Sequence, residues 1–342
     1  MRTLSVTAPL LAILIFSELG LRLYASVSWR FGRPGDQEDV RDFPRLVRSS
    51  AHPEIGIELR PHLDVRFKGR SFQTNSNGFR GREFQQKKAA GVYRIAGIGD
   101  SVMMGWGVGQ DETYLARLET LLNRRLGPGR VEVLNFAVSG YNTIQEYYVL
   151  KDVALAYQPD LIILGYVGND FEGPNFRRAP WRFYSRFAVL NWLFSRTQLL
   201  FRFIGPAQLY DWRPFSGRIG RPPADFEEAF LSIAVMASRN DIPLICVLDS
   251  RYQSERLSHR ELSAMAGKLG AESVDLYHLY RSLPENVPRH QAVKIADRHN
   301  RLYLIPGDTH ANSLWHERTA RVLSETIVKR LLKQEFNARS RP

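Results

Sequence analysis

From residue 92 onward, short runs of continuous apolar residues alternate with longer stretches where apolar residues recur every three or four positions. The run from Tyr93 to Ile98, closed by glycines, predicts a buried strand, and Tyr114, Leu115, Leu118, Leu121 and Leu122 repeat at helical spacing. The same reading predicts strands over 131–138, 159–167 and 243–249 and through Val274, Asp275 and Leu276. Helices are predicted over 144–157, 225–239, 258–269 and 313–333, the last with Ala320, Leu323, Ile327 and Leu331 along one face. Strands that alternate with helices imply an α/β fold, a three-layer α/β/α sandwich around a mostly parallel sheet. In such sheets reactive groups gather beyond the carboxyl ends of the strands, so the strand-to-helix loops are where chemistry is expected.

Upstream the pattern changes. Residues 29–90 are polar and rich in turn signals, with Pro34, Pro44, Pro53, Pro61 and the run Thr74-Asn75-Ser76-Asn77-Gly78. The alternation Leu63-Asp64-Val65-Arg66-Phe67 suggests short strands, so this stretch reads as a small β-rich extension and not an independent domain. Residues 3–17 are apolar but span only roughly 22 Å as a helix, short of a bilayer core. Continuing through Leu19, Leu21, Leu23, Tyr24, Ala25 and Val27 completes the crossing, with Glu18 and Arg22 spaced to pair. Residues 1–28 are therefore read as a signal anchor with the body outside the cytoplasm. A cleaved secretory signal ending near Ser26-Val27-Ser28 and a buried amphipathic helix are the alternatives.

Composition narrows the class. Hydrophobic residues are 44% and charged residues 24% of 342, enough to build a core. The single cysteine, Cys246, excludes an intramolecular disulfide framework or a cysteine-built metal cluster. Of the net charge of +12, eight lie between Arg177 and Arg221, where nine arginines stand against Asp211 among many aromatic residues. This segment falls in an insertion at about 171–223 and fits a lid, an anionic membrane surface or an acidic sugar better than nucleic acid, which is not expected as a partner. Gly97-Ile98-Gly99 hints at dinucleotide binding, but Val102 stands where the third glycine belongs. Gly105-Trp106-Gly107-Val108-Gly109 reads as a flexible rim beside Ser101.

Four loops carry compatible chemistry. The first strand ends at Gly99-Asp100-Ser101, the second at Ser139-Gly140-Tyr141 and the third at Gly168-Asn169-Asp170, while Asp308-Thr309-His310 precedes the last helix. A hydroxyl, a base, an orienting carboxylate and several N–H donors are what acyl transfer requires. Each loop alone is an ordinary turn, and Asp308 or Ser313 could simply cap the last helix. Their joint occurrence in order is far less ordinary.

The set resembles the SGNH (GDSL-type) hydrolases, whose four blocks supply Ser, Gly, Asn and His. Gly99-Asp100-Ser101-Val102-Met103-Met104-Gly105, Gly140, Gly168-Asn169-Asp170 and Asp308-Thr309-His310 are similar to the four blocks in turn. Residues 75–83, Asn75-Ser76-Asn77-Gly78-Phe79-Arg80-Gly81-Arg82-Glu83, resemble an element that precedes the catalytic domain in membrane-anchored bacterial members. The Asp-x-His spacing of Asp308 and His310, in place of Asp-x-x-His, is similar to the branch that acetylates bacterial polysaccharides. Tryptophan also replaces the usual glycine at Trp315.

The resemblance implies an SGNH, flavodoxin-like domain over 91–335. It makes Ser101, His310 and Asp308 catalytic, with Ser101, Gly140 and Asn169 forming the oxyanion hole, and implies no metal or organic cofactor. The expected function is an esterase acting on O-acyl, chiefly O-acetyl, esters of an extracytoplasmic carbohydrate. An O-acetyltransferase of an envelope polysaccharide, a lipid or thioester hydrolase and a silent envelope scaffold are the alternatives. The expected partners are an ester-bearing carbohydrate or lipid and the membrane through the amino-terminal helix. The oligomeric state is left open.

Overall fold

The computed structural model describes residues 35–167, 226–249, 259–276 and 304–339 apart from positions 37, 42, 53, 307 and 309, together with 15–17, 19 and 170. Asn169 and the insertion at 171–223 lie outside the described residues, as does most of the amino-terminal segment. Ile15–Ser17 and Leu19 are helical, and no helix among the described residues is long and apolar enough to cross a membrane.

The stretch before residue 90 is built from short strands. These are β1 (Asp39–Val40), β2 (Val47–Ser49), β3 (Ile57–Leu59), β4 (Asp64–Phe67) and β5 (Arg70–Gln73). β2 and β3 pair antiparallel, β4 pairs antiparallel with β5, and β1 lies parallel to β4 on its other edge. Val65, Phe67 and Phe72 are buried while Arg66 and Arg70 face outward, the alternation of a sheet covered on one face. Only Lys68 and Gly69 separate β4 from β5. Both have positive φ, 52° and 78°, the geometry of a mirror-image two-residue hairpin turn.

The main sheet holds β6 (Tyr93–Ile98), β7 (Val131–Asn135), β8 (Leu161–Tyr166), β9 (Leu244–Leu248) and β10 (Glu272–Asp275) in the order β10-β9-β8-β6-β7, all parallel. Every residue of β8 and β9 is buried, as a strand covered on both faces demands. The helices are α1 (Ser101–Met104), α2 (Tyr114–Leu126), α3 (Thr143–Asp152), α4 (Phe226–Arg239), α5 (His259–Lys268) and α6 (Ser313–Arg339). Strand order reverses after β7, so right-handed crossovers send α2 to one face and α3 and α4 to the other. The packing agrees, since α6 lies against α2 and α3 against α4. The three-layer α/β/α expectation is met.

Two sequence expectations change. The helix expected over 144–157 stops at Asp152 as α3, and a separate 3-10 turn covers Ala154–Tyr157. The last helix is capped by neither Asp308 nor Ser313: the Asn312 side chain accepts from the N–H of Trp315 at 3.1 Å. The paired glycines at the end of β6, Gly97 within it and Gly99 just beyond, also find their reason in packing. A Cβ on Gly97 would run into Leu115, and one on Gly99 would lie 3.0 Å from the Met103 Cβ. They let α1 and α2 lie close on the strand, a role unrelated to phosphate.

Candidate active site

The order reversal places a crevice between the carboxyl ends of β6 and β8, where open parallel sheets hold their ligands. β6 ends one residue before Gly99, and the chain turns at once into α1. Asp100 caps that helix, its Oδ1 accepting from Val102 N–H at 2.9 Å. Ser101 is the first helical residue and is 8% exposed. The β7–α3 loop runs alongside, with Phe136 N–H donating to Gly97 O at 2.9 Å and Val138 N–H to Gly99 O at 3.3 Å. Gly140 lies in that loop with φ 84°, a conformation glycine takes without cost. Next to Asn169, the N–H of Val167 donates to Asp170 Oδ2 at 2.7 Å and Asp170 N–H donates to Val167 O at 3.1 Å.

His310 reaches the same edge from a different part of the chain. An antiparallel bridge between Leu304 and Ala311, with Ile305 N–H donating to His310 O at 3.0 Å, holds the segment that leads into α6. His310 Nε2 stands 3.0 Å from Ser101 Oγ, across 209 positions of sequence. Its Nδ1 stands 2.6 Å from Asp308 Oδ1, and its backbone N–H donates to that same oxygen at 3.1 Å. Ser101, His310 and Asp308 thus form a continuous hydroxyl, imidazole and carboxylate line. Such a line can withdraw a proton from the hydroxyl and hold the resulting imidazolium.

Several groups in this site were not foreseen. The remaining Asp308 oxygen, Oδ2, accepts from Lys68 Nζ at 2.7 Å and from Trp106 Nε1 at 3.0 Å. Partial burial works against the Asp308 carboxylate, but donors from Lys68, His310 and Trp106 outweigh it and hold its carboxyl below the ordinary range. Ser101 Oγ also lies 3.0 Å from Asp100 Oδ2, so the hydroxyl sits between an acid and an imidazole. Burial raises the Asp100 carboxyl despite hydrogen bonds from Val102 and Ser101.

Arg80 explains why the Gly105–Gly109 stretch is not the flexible rim its glycines suggest. The buried guanidinium donates to the carbonyls of Met104, Gly105, Val108 and Ser71 and rests on the Phe72 ring. Burial lowers its pKa to about 9, opposed by the charge of Glu112, so it stays a cation at neutral pH. The preceding Asn75 Oδ1 accepts from the N–H groups of Asn77 and Phe79 and so shapes the turn. Gly78 there has φ 82°, and a Cβ would lie 2.6 Å from Leu59 O.

Beneath the crevice lie carboxyls with no described counter-ion. Glu146 and Asp170 are 0% and 1% exposed, and neither Glu146 oxygen has a hydrogen-bond partner. Burial first, then nearby charge (Asp170 and Asp100 at Glu146, Asp100 at Asp170), raises both carboxyls well above the ordinary range. Asp170 also accepts from Thr143. His316, in contrast, is a packing residue: it stacks on Tyr114 with ring centroids 5.6 Å apart, and its Nδ1 accepts from Tyr114 N–H at 3.1 Å. His290 and His299 lie outside the described residues. No cluster of metal-ligating side chains occurs among the described residues.

Sheet order, the Ser101–His310 geometry and a family match define the chain as a serine hydrolase. The match is to the GDSL-like Lipase/Acylhydrolase family and covers residues 98–199. No curated protein sequence matches. Among solved structures, the chain is similar to the psychrotrophic esterase EstA from Pseudoalteromonas sp., at 11% identity and TM-score 0.41, covering 70% of this chain and 98% of that one. It is also similar to LAE5, a hydrolase from the metagenome of Lake Arreo, at 14% identity and TM-score 0.41, covering 69% and 96%. A two-domain esterase (CEX) active on acetylated mannans shares 14% identity at TM-score 0.44, covering 70% of this chain and 50% of that one.

Proposed function

We propose that the chain cleaves O-acyl esters, O-acetyl above all, on a carbohydrate outside the cytoplasm, held at the membrane by residues 1–28. The observation that carries the chemistry is the unbroken contact from Ser101 Oγ to His310 Nε2 at 3.0 Å and from His310 Nδ1 to Asp308 Oδ1 at 2.6 Å. In this reading His310 takes the hydroxyl proton while Ser101 Oγ bonds to the ester carbonyl carbon. The oxyanion that forms is received by the backbone N–H groups of Ser101 and Gly140 and the amide of Asn169. Losing one such donor typically costs roughly a hundredfold to a thousandfold in rate. Collapse breaks the bond to the alcohol, which leaves with the proton from His310. Water, deprotonated by the same imidazole, then attacks the acyl-enzyme and frees the acid and the serine. A sugar hydroxyl in place of water gives transfer, and the Asp-x-His spacing keeps that outcome in view.

The acetyl and carbohydrate assignments rest on the resemblance of Asp308-Thr309-His310 to the polysaccharide-acetylating branch, and the membrane assignment on the apolar amino-terminal run. The test is turnover of nitrophenyl esters of increasing chain length by the purified chain and by Ser101→Ala. The reading expects acetate to be preferred and the variant to be inactive. Ser101-independent turnover would discard the assigned nucleophile. A preference for long chains would move the substrate to lipids. Partition of the intact chain with membranes tests the anchor.

A further inference from the structure

We infer that Lys68 is a positioning residue for this site, so that the β-rich segment before residue 90 is a working part of the active site and not an attachment to it. The inference rests on the serine-hydrolase reading above and adds a group to it.

The argument starts from the short spacing. With one residue between them, both donors of His310, the ring Nδ1 and the backbone N–H, fall on a single oxygen of Asp308, at 2.6 and 3.1 Å. The other oxygen is left without a partner from its own loop. A carboxylate fastened at one oxygen can swivel about its own bond and take the imidazole out of line. Lys68 Nζ at 2.7 Å and Trp106 Nε1 at 3.0 Å fasten the second oxygen. Lys68 does more than pair, because its ammonium also lies over the Trp106 ring, 4.6 Å from the centroid. That indole stacks on the His310 imidazole at 4.6 Å and 18°. One cation therefore bears on the carboxylate directly and on the ring through the indole.

The placement of Lys68 is built into the fold. It occupies the first position of the two-residue turn, where φ is 52° and a side chain is accepted only under backbone strain. Its N–H donates to Val40 O at 3.0 Å and the next N–H, of Gly69, to Asp39 Oδ1 at 2.7 Å, which pins the turn to β1. Arg80 then joins the hairpin to the Trp106 loop, since the same guanidinium serves Ser71 O and the carbonyls of Met104, Gly105 and Val108. Among the described residues, the charged and titratable groups that face the imidazole and carboxylate are Lys68 from the hairpin and Asp100 from the strand end.

A cation that shares the carboxylate offsets part of the negative charge by which Asp308 favours an imidazolium. Removing it lets the ring hold its proton to higher pH, and frees the carboxylate to swivel. The experiment follows the full chain, Lys68→Met and Lys68→Arg by two readouts against pH: labelling of Ser101 by a fluorophosphonate and kcat/KM for nitrophenyl acetate. In labelling, the Ser101 Oγ–P bond forms, fluoride leaves and His310 takes the proton. Lys68→Met is expected to move the acid limb of both profiles up by about half a pH unit or more and to lower the plateau about tenfold. Lys68→Arg restores the limb, because it keeps the charge. Thermal melting reports folding, and Met bears the positive φ no worse than Lys. A Lys68→Met profile that superimposes on the parent, or one lowered uniformly with its acid limb unmoved, overturns the inference while the serine reading stands. A parent chain that neither labels at Ser101 nor turns over overturns the serine reading, and this inference with it.

Discussion

The Trp106 indole lies flat against the His310 imidazole, 4.6 Å between ring centroids and 18° between planes, while its Nε1 donates to Asp308 Oδ2 at 3.0 Å. One side chain thus supports the base by its face and the orienting acid by its edge. Phe67 meets the same indole edge-on at 4.9 Å, so the support is itself packed in place by the amino-terminal segment. Trp106→Phe keeps an aromatic face for the imidazole and deletes only the donor. The variant is expected to lose about 1 kcal/mol of transition-state stabilisation, roughly a fivefold fall in kcat. Trp106→Ala, which also removes the stack, should lose clearly more. Equal rates for the two variants would mean that the stack contributes nothing.

Arg80 invites a test by stability. Its guanidinium serves four backbone carbonyls in a site that is 3% exposed. Arg80→Lys keeps the charge but cannot fork to several acceptors, so carbonyls are left unpaired in the interior. A loss of about 3 kcal/mol is expected, read as a fall in the urea midpoint. Because the 104–108 carbonyls flank Trp106, esterase activity should fall by more than the unfolded fraction explains. An unchanged midpoint would show that water replaces the guanidinium at no cost.

The interior of the sheet was legible because its strands there are apolar runs bounded by turn residues, as Leu161–Tyr166 and Leu244–Leu248 are. Local periodicity carries that information. The hydroxyl, imidazole and carboxylate were legible through their positions at strand ends and before α6. Lys68, Trp106 and Arg80 were not, because their meaning depends on contacts between segments that no period encodes. Lys68 meets Asp308 across 240 positions of sequence. The alternation from Leu63 to Phe67 suggested a strand, but nothing in it names the loop against which that strand and its turn dock. The glycines of residues 105–109 suggested mobility because glycine permits it; a buried cation that gathers their carbonyls removes it. Asn169 and the Arg/aromatic insertion lie outside the described residues.

Gly97 is expected to tolerate no side chain. A Cβ there would overlap Leu115 and lie 3.1 and 3.2 Å from Leu115 Cδ2 and Met103 Sδ. Met103 sits in α1, two residues after Ser101. Gly97→Ala should cost about 1–3 kcal/mol of stability by overpacking. Pushing α1 outward should also slow Ser101 acylation beyond that loss. Calorimetry together with fluorophosphonate labelling checks both. A stable variant with parental labelling would show that Leu115 and Met103 repack freely.

Glu146 and Asp170 fix the sign of the pH dependence of stability. Both are buried, both are raised well above their ordinary values of 4.5 and 3.8, and Asp100 adds a third carboxyl to the group while the Tyr114 phenol lies nearby. A carboxyl whose folded value is raised stabilises fully while the pH is below its unfolded value. That contribution is lost as pH rises through the folded value. In the interval, each such group makes stability fall by about 1.4 kcal/mol per pH unit. The parent protein should therefore weaken progressively from mildly acidic toward alkaline pH. Glu146→Gln removes one titrating proton and supplies an amide that can donate to Asp170, so its stability should fall less steeply. Urea unfolding at a series of pH values measures both slopes. Parallel slopes would mean that Glu146 is ionised in the native protein, and that a cation or water compensates a pair with no described counter-ion.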